Sequence, residues 1–212
     1  MKLTPYLFAG LILLSASCKK DDDNSSSSSS NNGGGGSGTI TIDSQWQYSI
    51  KVDGTTYAKV ENGSTIEGVF SNGGSVAGWP DSSLYNYGSA LYNPGTGDSY
   101  FEVNRNGQMF PGFPAADSTF LSWFHPVSYA YAGEDQNGFS IRWRDDAGVM
   151  WGTDLSIGLQ ANSTFVIDQV KVVTNIDYTI KVLAHFNCIL YNAAGETKTL
   201  TDGKYVGEFS NF

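Results

Sequence analysis

The sequence predicts an all-β protein, an antiparallel β-sandwich or partly closed barrel with one short helix. Three observations predict it. Turn dipeptides recur at short intervals: Asp53-Gly54, Asn62-Gly63, Asn72-Gly73, Asn106-Gly107, Asn137-Gly138 and Asp202-Gly203. Between them lie short runs rich in Val, Ile, Thr, Tyr, Phe and Trp, side chains that fit a pleated, half-buried surface. Helix formers are scarce, and a single stretch carries helix signals. Short strands joined by turns roughly ten residues apart are the pattern of sandwiches and barrels.

The first residues read as an export signal, residues 1–17. Lys2 supplies the positive start, Leu7 to Leu14 an apolar run, and Ser15-Ala16-Ser17 the small residues of a cleavage site. The run is shorter than the ~20 residues of a transmembrane helix. Cys18 follows directly. "LSASC" resembles the lipobox of bacterial lipoproteins, with Ser15 and Leu14 near the position where that motif carries Leu. In that family the cysteine takes diacylglycerol and becomes the new N-terminus. "CKKDDD" is similar to the start of surface-exported lipoproteins of Bacteroidota. The resemblance implies a lipid on Cys18, a membrane contact through that lipid, and a place on the outer face of the outer membrane. Ser15 and Ser17 also suit an ordinary signal peptidase, so the residues alone leave a freely secreted product open.

Residues 18–38 form a tether on this reading. Asn24 to Gly38 has no apolar side chain, and such a segment cannot offset its chain entropy by burial. A flexible coil of ~20 residues spans about 25 Å on average. The remaining 174 residues, 39–212, suffice for one domain with a sizeable core. Three lysines and three aspartates precede Thr39, which leaves this part nine Lys+Arg against eighteen Asp+Glu, a net charge of −9. An acidic surface with scattered cations argues against nucleic acid and anionic headgroups as partners.

Within the domain, "YSIKVDGTTYAKV" reads as a hairpin about Asp53-Gly54, and "GFSIRWRDDAGVMWG" as a second. Phe139, Ile141 and Trp143 alternate with Ser140, Arg142 and Arg144, the period of a half-buried strand. "ADSTFLSWF" is the helix, with Asp117 or Ser118 as N-cap and Pro126 past its end. "DYTIKVLAHFNCILYN" is the longest strand signal. Tyr178, Ile180, Val182, Ala184, Phe186, Cys188 and Leu190 share one face; Thr179, Lys181, His185 and Asn187 share the other with Leu183 and Ile189. "TKTLTDGKYVGEF" reads as a closing hairpin about Asp202-Gly203. Together with "IKVDGTTYA" and "NGFSIRWRDDAGVMWGT", the run Phe186-Asn187-Cys188 and Leu200-Thr201-Asp202-Gly203 resembles a group of small Bacteroidota lipoproteins without a characterised function. That resemblance implies a structural pattern and no activity.

Chemistry is sparse. His125 and His185 are the two imidazoles, and neither accompanies a Gly-x-Ser-x-Gly elbow. His185 is expected at an exposed or edge position, and His125 at the helix exit. Cys188 falls on the apolar strand face, where a thiol is a small hydrophobe. With Cys18 assigned to lipid, no disulfide forms, and two histidines with one free thiol argue against a transition-metal site. Glu134-Asp135 and Asp145-Asp146 lack the alternating Asp spacing of a calcium loop and read as a solvated loop and a hairpin turn. A glycosidase would need two carboxylates facing across a cleft. No cofactor is expected, and no catalytic residue is assigned.

The aromatics carry the ligand hypothesis. Trp143 and Trp151 belong to core faces, whereas Trp79, before Pro80, and Tyr85 with Tyr87 are expected to be exposed and to contact a ligand. Phe110 and Phe113 sit in "FPGFP", a loop that resists complete burial. Asp117-Ser118-Thr119 resembles an O-glycosylation acceptor of Bacteroidota, and a helix N-terminus explains the same residues. The expectation is non-catalytic binding of an extracellular glycan or another ligand, with docking to an envelope protein as the alternative and a secreted hydrolase behind both. The anchor is directly testable: Cys18→Ala should move the chain from the membrane fraction to the soluble fraction and abolish labelling by a clickable fatty acid. Retention of both would exclude lipid at Cys18.

Overall fold

The computed structural model describes residues 39–76, 82–96, 100–111, 115–155, 158–173 and 177–211. Residues 1–38, which hold the expected signal segment, Cys18 and the expected tether, lie outside the described residues, as do Trp79 and Phe113. In chain order the elements are β1 (Gln47–Val52), β2 (Thr55–Val60), β3 (Glu67–Val76), β4 (Ser82–Tyr92) and β5 (Phe101–Pro111). Then come α1 (Asp117–Ser122), β6 (Ser128–Tyr129), β7 (Gly138–Arg144), β8 (Met150–Gly152), β9 (Thr164–Val173), β10 (Tyr178–Tyr191) and β11 (Thr197–Asn211). All pairings between these strands are antiparallel. The fold class is the expected one, with one short helix.

The strands follow the order β2-β1-β11-β10-β8-β7-β5-β4-β3, and β9 joins β10 beside β8. The sheet is therefore continuous, and it branches at β10. One edge of β10 pairs with β11 along its whole length. Its other edge pairs with β9 from Thr179 to Asn187, and then with β8 only at Tyr191↔Gly152. Ile189 falls in the gap, and a side chain fills it. The Gln160 amide accepts from Ile189 N–H at 3.0 Å and donates to Ile189 C=O at 2.7 Å, copying the missing strand. Tyr191 Oη donates to Leu159 C=O at 3.1 Å, which holds the same loop against β10.

Aromatic rings fill the inside of the curled sheet. Phe139, Phe165, Phe186, Phe101 and Tyr48 form a run of near-parallel rings with centroids 4.1, 5.7, 6.0 and 4.4 Å apart. Each ring comes from a different strand, and all five are buried. Helix α1 plugs one end of the core. Phe120, in the helix, and Phe124, just beyond it, pack on Tyr87, Phe139, Tyr178 and Phe209. Asn211, at the end of β11, donates to Ala115 C=O at 2.9 Å and fixes the approach to the helix.

Two of the three expected hairpins form, with Asp53-Gly54 in the first turn at φ 47° and 88°. Three other turn dipeptides do not turn. Asn72-Gly73 lies within β3, Asn106-Gly107 within β5 and Asp202-Gly203 within β11. The closing hairpin is instead one strand of fifteen residues. Left-handed backbone at Gly107 (φ 66°) and Asp202 (φ 52°) accompanies bulges against β4 and β10, a use of such residues that leaves strand direction unchanged. On β10 the expected apolar face is inward, but Thr179 and Leu183 are buried on the other face too. The helix is capped by Ala116 without a side-chain bond, so Asp117 is its first residue and not its N-cap. Replacing the plug, Gln160→Ala, should cost about 1–3 kcal/mol, because Ile189 loses both partners while part-buried. Urea unfolding should show a lower midpoint with an unchanged slope.

Candidate functional site

Of the three ligand contacts expected from sequence, Trp79 lies outside the described residues. Tyr85 and Tyr87 do share one face of β4, but it is the inner face: they are 2% and 1% exposed. The expected exposure is corrected because α1 and the residues after it cover this part of the strand. Tyr87 packs on Phe120 at 4.9 Å, and both tyrosines pack on Trp123 at 5.7 and 5.9 Å. Burial raises the Tyr87 hydroxyl above its usual range, and it donates to Asn211 Oδ1 at 3.2 Å. A buried ring has no face to offer a sugar. Phe110 ends up half-buried at the end of β5, edge-on to Trp123.

The titratable candidates are dispersed. His185 is exposed on the outer face of β10, and its Nδ1 lies 2.8 Å from Asp168 Oδ1. Asp168 reaches it because the β9–β10 register slips between Leu183 and Ala184, which leaves Asp168 as the bulged residue. His125 is exposed, with its backbone N–H donating to Tyr129 Oη at 2.7 Å. Cys188 is buried, and burial pushes its thiol up to about 12, as expected of a core residue. Glu134 is an exposed partner of Arg142, whose main contact is bidentate to Asp154. Among the described residues no three His, Cys, Asp or Glu side chains gather as metal ligands.

Asp145 is the turn residue expected of it, and more. Oδ1 accepts from Ala147 and Val149 N–H at 3.1 and 2.9 Å, while Oδ2 accepts from Trp151 Nε1 at 2.9 Å and Lys198 Nζ at 3.1 Å. The Lys198 ammonium also rests over Trp151, 4.3 Å from the ring centroid.

Sequence reasoning missed a buried charge. Arg105 points inward from β5 and is 3% exposed. It donates to Trp123 C=O (2.9 Å), Gly138 C=O (3.0 Å), Asn137 Oδ1 (2.9 Å) and Gln108 Oε1 (3.1 Å), under the rings of Tyr129 and Phe139. Burial lowers it to about 10, still charged at neutral pH. Its period with Phe101 and Val103 was the signal that could have placed it inside.

Two of the grooves on the described surface carry polar side chains that bear on binding. The smaller, about 270 Å³, lies between Ile42-Asp43 and the row Lys171, Lys181, Glu208. There Lys171 Nζ donates to Asp43 at 2.6 Å and Lys181 Nζ to Ser44 C=O at 3.1 Å, clamping the start of the domain to the sheet. The larger, about 470 Å³, lies where β11 bulges from β10, beside the loop at 161–163. Its polar lining is Asn162, Ser163, Asn187, Thr199, Thr201 and Asp202, none of which was singled out from sequence as a ligand contact. Neither histidine lines either groove.

The described residues form an antiparallel, curled β-sheet with an open groove at a strand bulge, lined by apolar and polar groups together. Compared with protein-family models, curated proteins and solved structures, the chain matches none.

Burial pushes the Asp145 carboxyl up, but the bonds from Trp151, Val149 and Lys198 outweigh it and hold it below the ordinary 3.8. A depressed carboxylate contributes stability that is complete above its unfolded value and is lost as pH falls through the folded one. Asp145→Asn should therefore cost about 1–3 kcal/mol at neutral pH, and the gap from wild type should close in acid below pH 3.8. Denaturant titrations across that range check the sign.

Proposed function

We propose that this chain is a cell-surface lipoprotein, exported by residues 1–17, anchored through Cys18 and spaced by residues 18–38, whose β domain binds an extracellular ligand without catalysis. It fits the lipoproteins of Bacteroidota that its first two dozen residues resemble. The observation that carries the binding reading is the chemistry of the larger groove. Its polar lining consists of amides, hydroxyls and one carboxylate, groups suited to holding hydrogen bonds, and both imidazoles lie elsewhere. Position supports it as well. The start of the domain is clamped at Lys181, and Asn187 lies six residues further along β10, or ~20 Å at strand spacing. The groove thus lies well along β10 from the first described residues.

A second reading, docking of an envelope protein by strand addition, is favoured by β3. This strand ends the sheet order, runs ten residues in unbroken register with β4, and carries no Lys, Arg or Pro to blunt an edge.

A thermal-shift screen of polysaccharides and oligosaccharides tests the first reading. A ligand of the folded state at a hundredfold excess over Kd should add ~2.7 kcal/mol of stability, and His185→Ala should leave that shift intact. Time-dependent cleavage of the bound ligand, lost in His185→Ala, would overturn the non-catalytic reading.

A further inference from the structure

The larger groove has a rigid frame and unoccupied tips. Cys188 and Leu200, both buried, form its floor. Asn187 is held in place, accepting from Thr164 N–H and donating to Thr164 Oγ1, each at 3.0 Å. Ser163 Oγ donates to Gln160 Oε1 at 2.9 Å. The side chains of Asn162, Thr199, Thr201 and Asp202 have no such partner among the described residues.

Backbone conformation singles out two of those four. Asn162 and Asp202 are left-handed, at φ 60° and 52°, and both stand on the lip of this groove. Asn and Asp visit that region mainly because a short polar side chain can bond the local backbone. Neither side chain makes that bond here among the described residues. Glycine would satisfy the backbone better at both positions. An amide and a carboxylate stand there instead, facing the groove without intramolecular work to do.

Resting on the binding reading above, we infer that this groove is the ligand site and that its ligand is a neutral saccharide. Vicinal hydroxyls can donate to the Asp202 carboxylate, exchange hydrogen bonds with the Asn162 amide, and pair in either direction with Thr199 and Thr201. Ala161 and Ile189 supply the apolar surface for a ring's C–H face. The lining contains no Lys, Arg or His, its one charge is negative, and the chain carries −9. Uronate and sulfate groups would be repelled there.

Asn162→Gly and Asp202→Gly separate ligand contact from fold, since glycine keeps both left-handed positions. The full chain, in a detergent without a sugar headgroup, is titrated with neutral gluco-, manno-, xylo- and galacto-oligosaccharides, and with polygalacturonate and a sulfated glycan. Wild type is expected to bind a neutral oligosaccharide, and each variant to bind it at least tenfold more weakly with an unchanged or higher Tm. Variants that bind as wild type does would overturn the groove while leaving the binding reading standing. Binding restricted to the acidic glycans would overturn the saccharide class alone. No binding to any of them would overturn the saccharide inference, and a folded chain that also captures no other extracellular ligand would sink the binding reading itself.

Discussion

The run of rings from Phe139 to Tyr48 constrains everything around it. Aromatic pairs at such separations add about 0.5–1.5 kcal/mol each beyond the area they bury, and these link β7, β9, β10, β5 and β1 across the core. Stacked rings need flat neighbours. Gly203 lies directly on the Phe186 ring, where a Cβ would overlap ring carbons and the Phe186 backbone oxygen. Strand β11 cannot pass Phe186 with an ordinary residue in regular register. It bulges at Asp202-Gly203, and the β10–β11 ladder slips between Phe186 and Cys188 as a result. The groove opens at that slip. A packing requirement in the core thus becomes a feature of the surface.

The same chain of causes explains which parts of the fold were legible in the sequence. Period-two alternation marked β7 and the inner face of β10, because each is set by one residue's relation to its neighbours. Asp53-Gly54 turned as expected because nothing beyond it competes: its flanking strands pair only across that turn and with β11. Asp202-Gly203 has the same local chemistry and a different outcome. There β10 runs alongside for fourteen residues, and continuing that ladder satisfies more backbone groups than reversing would. A dipeptide states that left-handed backbone is available. Whether it makes a turn or a bulge depends on a partner strand that local pattern does not name.

The candidate site was less legible for a related reason. Tyr85 and Tyr87 were correctly placed on one strand face, but the choice between inside and outside depends on α1, some thirty residues later in the chain. Arg105 misleads in the opposite direction, since a charged residue within an alternating run reads as a break in the inner face. Its partners are mostly backbone carbonyls and amides from three separate segments. Asp202 was visible all along, but as turn chemistry. A short polar side chain serves equally well in a turn, a bulge and a binding lip, and only its partners separate those roles.

Those partners also set the Arg105 network apart from the groove. Beside α1, Arg105 has an acceptor at each guanidinium nitrogen and rings above it, and burial closes it to anything that arrives from solvent. A buried guanidinium left unbonded would cost several kcal/mol, about what unpaired buried charges cost elsewhere; its network therefore belongs to stability. In the groove the side chains of Asn162, Thr199, Thr201 and Asp202 have no partner among the described residues and are exposed to water. Water satisfies them at no expense to the fold, and a hydroxyl-rich ligand can replace that water bond for bond. Net gain then comes from the frame already being rigid: Asn187 and Ser163 are fixed before any ligand arrives, so little side-chain freedom there remains to be lost. The polar groups that the fold has used make the Arg105 site inert, and those it has left unused make the groove receptive.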